Sequence, residues 1–160
     1  MEIEALEIEK DEETQIILGH AGFIKTAEDL YEAMAGAVPS MKFGIAFAEA
    51  SGKRLVRTEG NDKKLQSLAA KNMMMIGAGH SFIIMFKGAF PINVINSIKS
   101  VSEVATIYCA TANPVQALVV RTMQGASIIG VVDGNEALSI ETANDVKERR
   151  ELLRKFGYKK

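Results

Sequence analysis

His80 is one of only two histidines in the chain, and it opens the apolar run of "GAGHSFIIMF". An imidazole with a reference pKa of about 6.5 is largely neutral at pH 7 and keeps a free nitrogen lone pair, so it can act as a base or a nucleophile. Phosphoryl transfer through nitrogen is therefore chemically open to His80. It requires cations or N–H groups around the phosphoryl oxygens, and a neighbour that fixes the ring tautomer. Lys53, Arg54 and Arg57 crowd one segment, while Lys87 and Arg121 close strand-like runs. Lys87 is the best placed of these on the sequence, and a solvated surface is the plain alternative for most of them. Asn113 before Pro114 ends a strand in a tight turn and frees an amide, and Asp133 before Gly134 presents a carboxylate at a strand end or simply forms a turn. His20, in "LGHAGF", reads as a histidine bonded to a loop carbonyl, and a structural role is also open to His80.

Several other chemistries are excluded or disfavoured. Gly77 and Gly79 follow a helical pattern and precede a strand, the reverse of the order in a dinucleotide-binding turn, so they read as a helix stop. No G-x-x-x-x-G-K-[ST] occurs. The histidines lack metal-ligand spacing with each other or with Cys109, so no metal site is expected. Cys109 is the single cysteine and permits no internal disulfide. "MEIEALEIEK" lacks the basic start and apolar stretch of a signal peptide, and Lys71, Lys87 and Lys99 interrupt the richest apolar region. These features predict a cytoplasmic protein without a membrane span. A net charge of -1 argues against nucleic acid as a partner.

The elements that must position these residues follow from periodicity. "EIEALEIE" alternates as a half-buried strand, and "TQIILGHAGF" is its expected hairpin partner across the turn "KDEET". "TAEDLYEAMAGAV" predicts a helix capped by Thr26 and stopped near Pro39. "MKFGIAFAEA" reads as a buried strand, and "SGKRLVRTEGND" as a short strand or ordered loop. "NDKKLQSLAAKNMMMIGAG" predicts a helix with Leu65, Leu68, Ala69, Met73 and Ile76 on one face, its methionine run filling the core. The strand "HSFIIMFKG" and the helix "FPINVINSIKSV" come next, with Pro91 in the first turn. "VATIYCAT", "VQALVVRT" and "ASIIGVVDG" are strands, and "NDVKERRELLRKFGY" is an amphipathic helix through Val146, Leu153 and Phe156. At 160 residues, 48% hydrophobic, this predicts one domain over residues 1–160. Its class is α/β, a layered fold with a mixed β-sheet covered by helices.

"KFGIAFAEASGKRLVRTEGND", "AGHSFIIMFKGAFPINVINSIKSVSEVATIYCATANP" and "GVVDGN", taken in order, resemble the small archaeal and bacterial family of adenosine-specific kinases. The resemblance runs over nearly the whole chain, from the expected first hairpin to "VVDGN". It implies a compact α/β fold, a homo-oligomer, binding of adenosine or AMP, and a phosphorylatable histidine, which by its place in "GHSF" is His80. No resident cofactor is implied; ATP or another phosphoryl donor, with Mg, would supply the group. The reading that follows is an adenosine-directed phosphotransferase in which His80 carries the phosphoryl group. Lys87 or Arg57 would stabilise its charge, and Asp133 would orient the ribose hydroxyl. Asn113 and Asn93 would contact base or ribose, and Phe47 or Phe90 would offer a ring face to adenine. Its rivals are a non-catalytic adenosine or AMP sensor and a structural homo-oligomer.

Overall fold

A computed structural model describes residues 1–160. The chain forms β1 (Glu2–Glu7), β2 (Gln15–Ala21), α1 (Thr26–Ala37), β3 (Lys42–Ala48), β4 (Val56–Gly60) and α2 (Lys63–Ile76). It continues through β5 (Ser81–Lys87), α3 (Pro91–Lys99), β6 (Val104–Thr111), β7 (Val115–Arg121), β8 (Ala126–Asp133) and α4 (Ala143–Lys155). The expected single-domain α/β architecture is present. Its strands are divided between two sheets, five-stranded β4-β3-β5-β2-β6 and three-stranded β1-β7-β8, and every pairing is antiparallel.

The expected hairpin of β1 with β2 does not form. β1 pairs with β7, Glu2 opposite Arg121 and Glu7 opposite Gln116, while β2 lies between β5 and β6. Burial explains the difference. Nearly every residue of β2 is buried, so it needs neighbours on both edges, whereas the acidic, alternating β1 has only one apolar face and suits a sheet edge. "KDEET" consequently connects two sheets; Asp11 Oδ1 accepts from the N–H groups of Glu13 and Thr14 and from the Thr14 hydroxyl.

The apolar run of β5 fills both faces of the five-stranded sheet. Ile83 and Met85 point into a core with Ile16, Leu18, Ala46, the inner face of α2 and the three-stranded sheet. Phe82, Ile84 and Phe86 pack on the other side with Phe43, Ile45, Leu30 and Met34 of α1, and Val94 and Ile98 of α3. On α2, Leu65, Ala69, Met73 and Ile76 are buried as their spacing predicts. Met74 and Met75 are exposed, so the methionine run contributes one core residue rather than three. Thr26 is the first helical residue of α1 and not its cap; the side chain is buried and caps nothing. Asp62 caps α2 by accepting from Leu65 N at 3.0 Å, and Gly77, at φ 66°, terminates it.

α2 lies close over β3 because residue 44 lacks a side chain. A Cβ on Gly44 would stand 2.2 Å from Gln66 N. Since that neighbour is helix backbone, Gly44→Ala forces α2 off the sheet, and the expected loss is about 3 kcal/mol. Calorimetry should find Tm lower by roughly 6–12 °C for a domain of this size.

Candidate functional site

β3, β2 and the start of β5 end together at one edge of the larger sheet, where His20 faces Ser81 and Phe47 faces both Phe82 and Arg57. His80 precedes β5 at this edge. Its backbone is left-handed, φ 62°, which costs a non-glycine residue about 1–2 kcal/mol. Two neighbouring strands hold it there: His80 N donates to Ala48 O at 2.7 Å, and His80 O accepts from Ala21 N at 2.8 Å. The imidazole lies nearly parallel to the Phe47 ring, 6.1 Å between centroids and 15° between planes, and the His20 ring is set steeply to it at 77°, 6.0 Å between centroids. On a third side Gly22 gives it room, since a Cβ there would come 3.0 Å from Nδ1.

A cavity of about 600 Å³ opens over this ring, and Phe47, Arg57, Lys53 and Glu49 also line it. Arg57 Nε donates to Glu49 Oε1 at 2.7 Å, and the other carboxylate oxygen accepts from Leu55 N at 2.9 Å. That backbone bond first, and the guanidinium second, hold the Glu49 carboxyl below its ordinary range, so it is an anion at neutral pH. Phe23 and Ile24 form the opposite wall, both largely exposed. Their loop is tied down by Gly22 N on Glu103 O and by Lys25, whose ammonium lies 2.6 Å from Asp29 and 2.8 Å from Glu103.

Of the residues selected from the sequence, the fold brings His80, Arg57, Lys53 and Phe47 together, with His20 beside them. Lys87, Asn113, Asp133, Asn93, Phe90 and Arg121 stand elsewhere. Lys87 closes the far end of β5, roughly 20 Å away at strand spacing, and bonds Asp11 at 2.6 Å. That ammonium, aided by the Thr14 hydroxyl, holds the Asp11 carboxyl at about 2. Asn113 Nδ2 donates to Asp133 Oδ1 at 3.1 Å, joining the end of β8 to the β6–β7 turn, also away from His80. Asn93 Oδ1 accepts from Phe90 N at 2.8 Å and so caps α3, beside which Phe90 is exposed. Arg121 is engaged by Glu4 and by Met75 O. Glu49, Gly22, Phe23 and Ile24 escaped the sequence reading because loop residues carry no periodic signal. The one available sign was an apolar Phe-Ile pair directly after a glycine, outside any strand or helix pattern. Burial pushes the Cys109 thiol up to about 11, which leaves it without a nucleophilic thiolate. No group of three or more His, Cys, Asp or Glu side chains is arranged to hold a metal ion.

The profile described as "Adenosine specific kinase" matches residues 6–159. The chain belongs to the adenosine-specific kinase family. Family membership carries an adenosine-related, kinase-like function and the binding of adenosine or a nucleotide. Among solved structures, the PH1918 protein from Pyrococcus horikoshii OT3 is 51% identical to this family member. The match covers 99% of this chain and 98% of that one, with a TM-score of 0.96. No curated protein matches it. None of its helices is long and apolar enough to cross a membrane.

Burial and the adjacent His80 ring lower the pKa of His20 below 6.5. The unfolded chain therefore binds a proton that the folded chain refuses, and stability must fall as pH drops below about 6.5. The depressed carboxylates act only at lower pH, so thermal melts between pH 7 and 5 should isolate this effect: Tm falls with pH in the wild type, and His20→Gln flattens the slope.

Proposed function

We propose that His80 is a phosphoryl carrier between a phosphate donor and the ribose hydroxyl of adenosine. The observation that carries this reading is the strained, doubly clamped backbone of His80, which sets its ring in a cavity beside Arg57 and Lys53. With the Nδ1–Cε1 edge against Gly22, Nε2 is the nitrogen left to react. Its lone pair attacks the donor phosphorus, forming the N–P bond as the bond to the donor's leaving oxygen breaks. Arg57 and Lys53 hold the phosphoryl oxygens. In the second half the ribose hydroxyl attacks phosphorus, Glu49 takes its proton, the N–P bond breaks and neutral imidazole returns. ATP or another donor with Mg supplies the group. Adenine takes the apolar wall of Phe23 and Ile24, with Phe47 keeping the imidazole in place. Glu49 does here what a carboxylate at Asp133 cannot do within one chain. Lys87, Asn113, Asn93 and Phe90 play no direct part in the cavity of the same chain.

Intact-mass measurement after incubation with ATP tests the reading. The wild type should gain one acid-labile phosphoryl group and turn over adenosine. His80→Ala should lose both yet bind adenosine, and Gly22→Ala, which displaces the ring, should cut both at least tenfold. Normal turnover by His80→Ala would remove the carrier role. Adenosine binding with neither adduct nor turnover would leave a sensor.

We further propose a cytoplasmic homo-oligomer, built through the C-terminal segment. No residue of α4 is buried, and Leu138, Ile140, Leu152, Phe156 and Tyr158 are exposed. Residues 143–160 hold seven Lys or Arg against three acids, whereas residues 1–13 hold seven acids against one Lys. β1, with that acidic stretch, is an open sheet edge. A second copy's α4 against this edge covers the apolar surface and matches charge to charge. Light scattering should find a multimer that dissociates when Leu152 and Phe156 are both changed to Ser; a wild-type monomer at micromolar concentration contradicts it.

A further inference from the structure

A second cavity, about 650 Å³, lies across the Glu49–Lys53 loop from His80. The two cavities share Glu49, Ala50 and Lys53 as a common ridge. It carries two cations without a salt bridge. Lys53 and Arg54 line it, and the chain's ion pairs involve other cations. The only carboxylate on its wall, Glu49, is bonded by Arg57 and Leu55 N and feels Lys53 only at longer range. Arg54 has a left-handed backbone, φ 51°, a second non-glycine residue held in that region beside His80. Of the residues lining it, Ala50, Lys53 and Gly79 have N–H groups that donate to no group of the chain, so the cavity has backbone donors as well as cations for an anion. Gly79 keeps the ridge seated, because a Cβ there would lie 2.9 Å from the Ala50 Cβ.

The opposite wall is apolar. Met73, Met74, Val120 and Ala126 line it, and Met123 stands fully exposed beside it. Methionine sulfur makes adaptable contacts with aromatic rings. The volume exceeds what a phosphate alone requires and suits a ligand with a ring system.

We propose that this cavity is a separate binding site for a nucleoside polyphosphate. Its base rests on the methionine wall, and its phosphates lie along Arg54 and Lys53. Lys53 borders both cavities, so the phosphate chain runs over the ridge toward His80. Only that direction rests on the phosphoryl-carrier reading; occupancy of the cavity does not. Adenosine and polyphosphate then bind at the same time, on opposite sides of one loop.

Calorimetric titration with the non-hydrolysable β,γ-imido analogue of ATP tests this. Protein saturated with adenosine should still bind the analogue. Arg54→Ala should weaken the analogue about tenfold, as expected for losing a charged hydrogen bond, with adenosine affinity changed less than twofold. Gln124→Trp, at an exposed position on the cavity rim, should also weaken the analogue by obstruction. His80→Ala should leave its affinity unaltered, so an absent phosphohistidine would count against the carrier role and not against this site. Complete competition by adenosine, no binding of the analogue, or unchanged affinity in both Arg54→Ala and Gln124→Trp would overturn the proposal.

Discussion

Burial of β5 on both faces is the constraint on which the structure depends. A strand whose successive residues all need cover must lie inside a sheet and between two layers. α1 and α3 supply one layer, and α2 with the three-stranded sheet supplies the other. Polar chemistry has no place along such a strand. It can begin only where the strand begins, and His80 is at that point. The same packing immobilises the residue: Phe82 and Ile83 are locked immediately after it, while β2 and β3 grip its backbone from either side.

Strain at His80 has a visible compensation. A left-handed non-glycine residue would relax if its neighbours allowed, yet two short hydrogen bonds to strands that are themselves central leave it little freedom. The point from which the imidazole projects into its cavity is thus fixed by the backbone, and the ring packs on Phe47 and His20 without a carboxylate bonded to it. Charge in that cavity comes from a different source, the β3–β4 loop. Glu49 there is stabilised as an anion by a backbone N–H and by Arg57, which fixes the guanidinium over the cavity. Rigid position is thus supplied by the core, and electrostatic character by the loop at its edge.

The C-terminal segment contrasts with this rigid centre. α4 is capped by Thr142, which exchanges hydrogen bonds with Asp145, and Glu141 pairs with Arg149. Local interactions therefore form the helix. None of them gives its apolar side chains cover, and a helix in water gains most of its stability from an apolar face packed on something else. Leu152 and Phe156 are the residues left waiting for a neighbour.

Periodicity in the sequence determined every element but β4, which stayed open between a short strand and an ordered loop, because alternation and helical spacing are local consequences of backbone geometry. "HSFIIMFKG" was legible as an apolar strand, "NDKKLQSLAAKNMMMIGAG" as a helix ended by its glycines, and His80 as the chemically distinctive residue ahead of the strand. The long ordered phrases carried the family. Which strand lies beside which was not legible: β1 and β2 are joined by a polar turn but pair with β7 and with β5 and β6, since the burial demand of β2 is met only by partners distant in the chain. The site was divided in the same way. Arg57 and Phe47 reach His80 because antiparallel register aligns the end of β3 with the starts of β4 and β5. The same register sends Lys87, only seven positions from His80 in sequence, to the opposite end of the sheet. A strand carries residues apart at about 3.3 Å per position, and only the folding back of other strands brings a site's residues together.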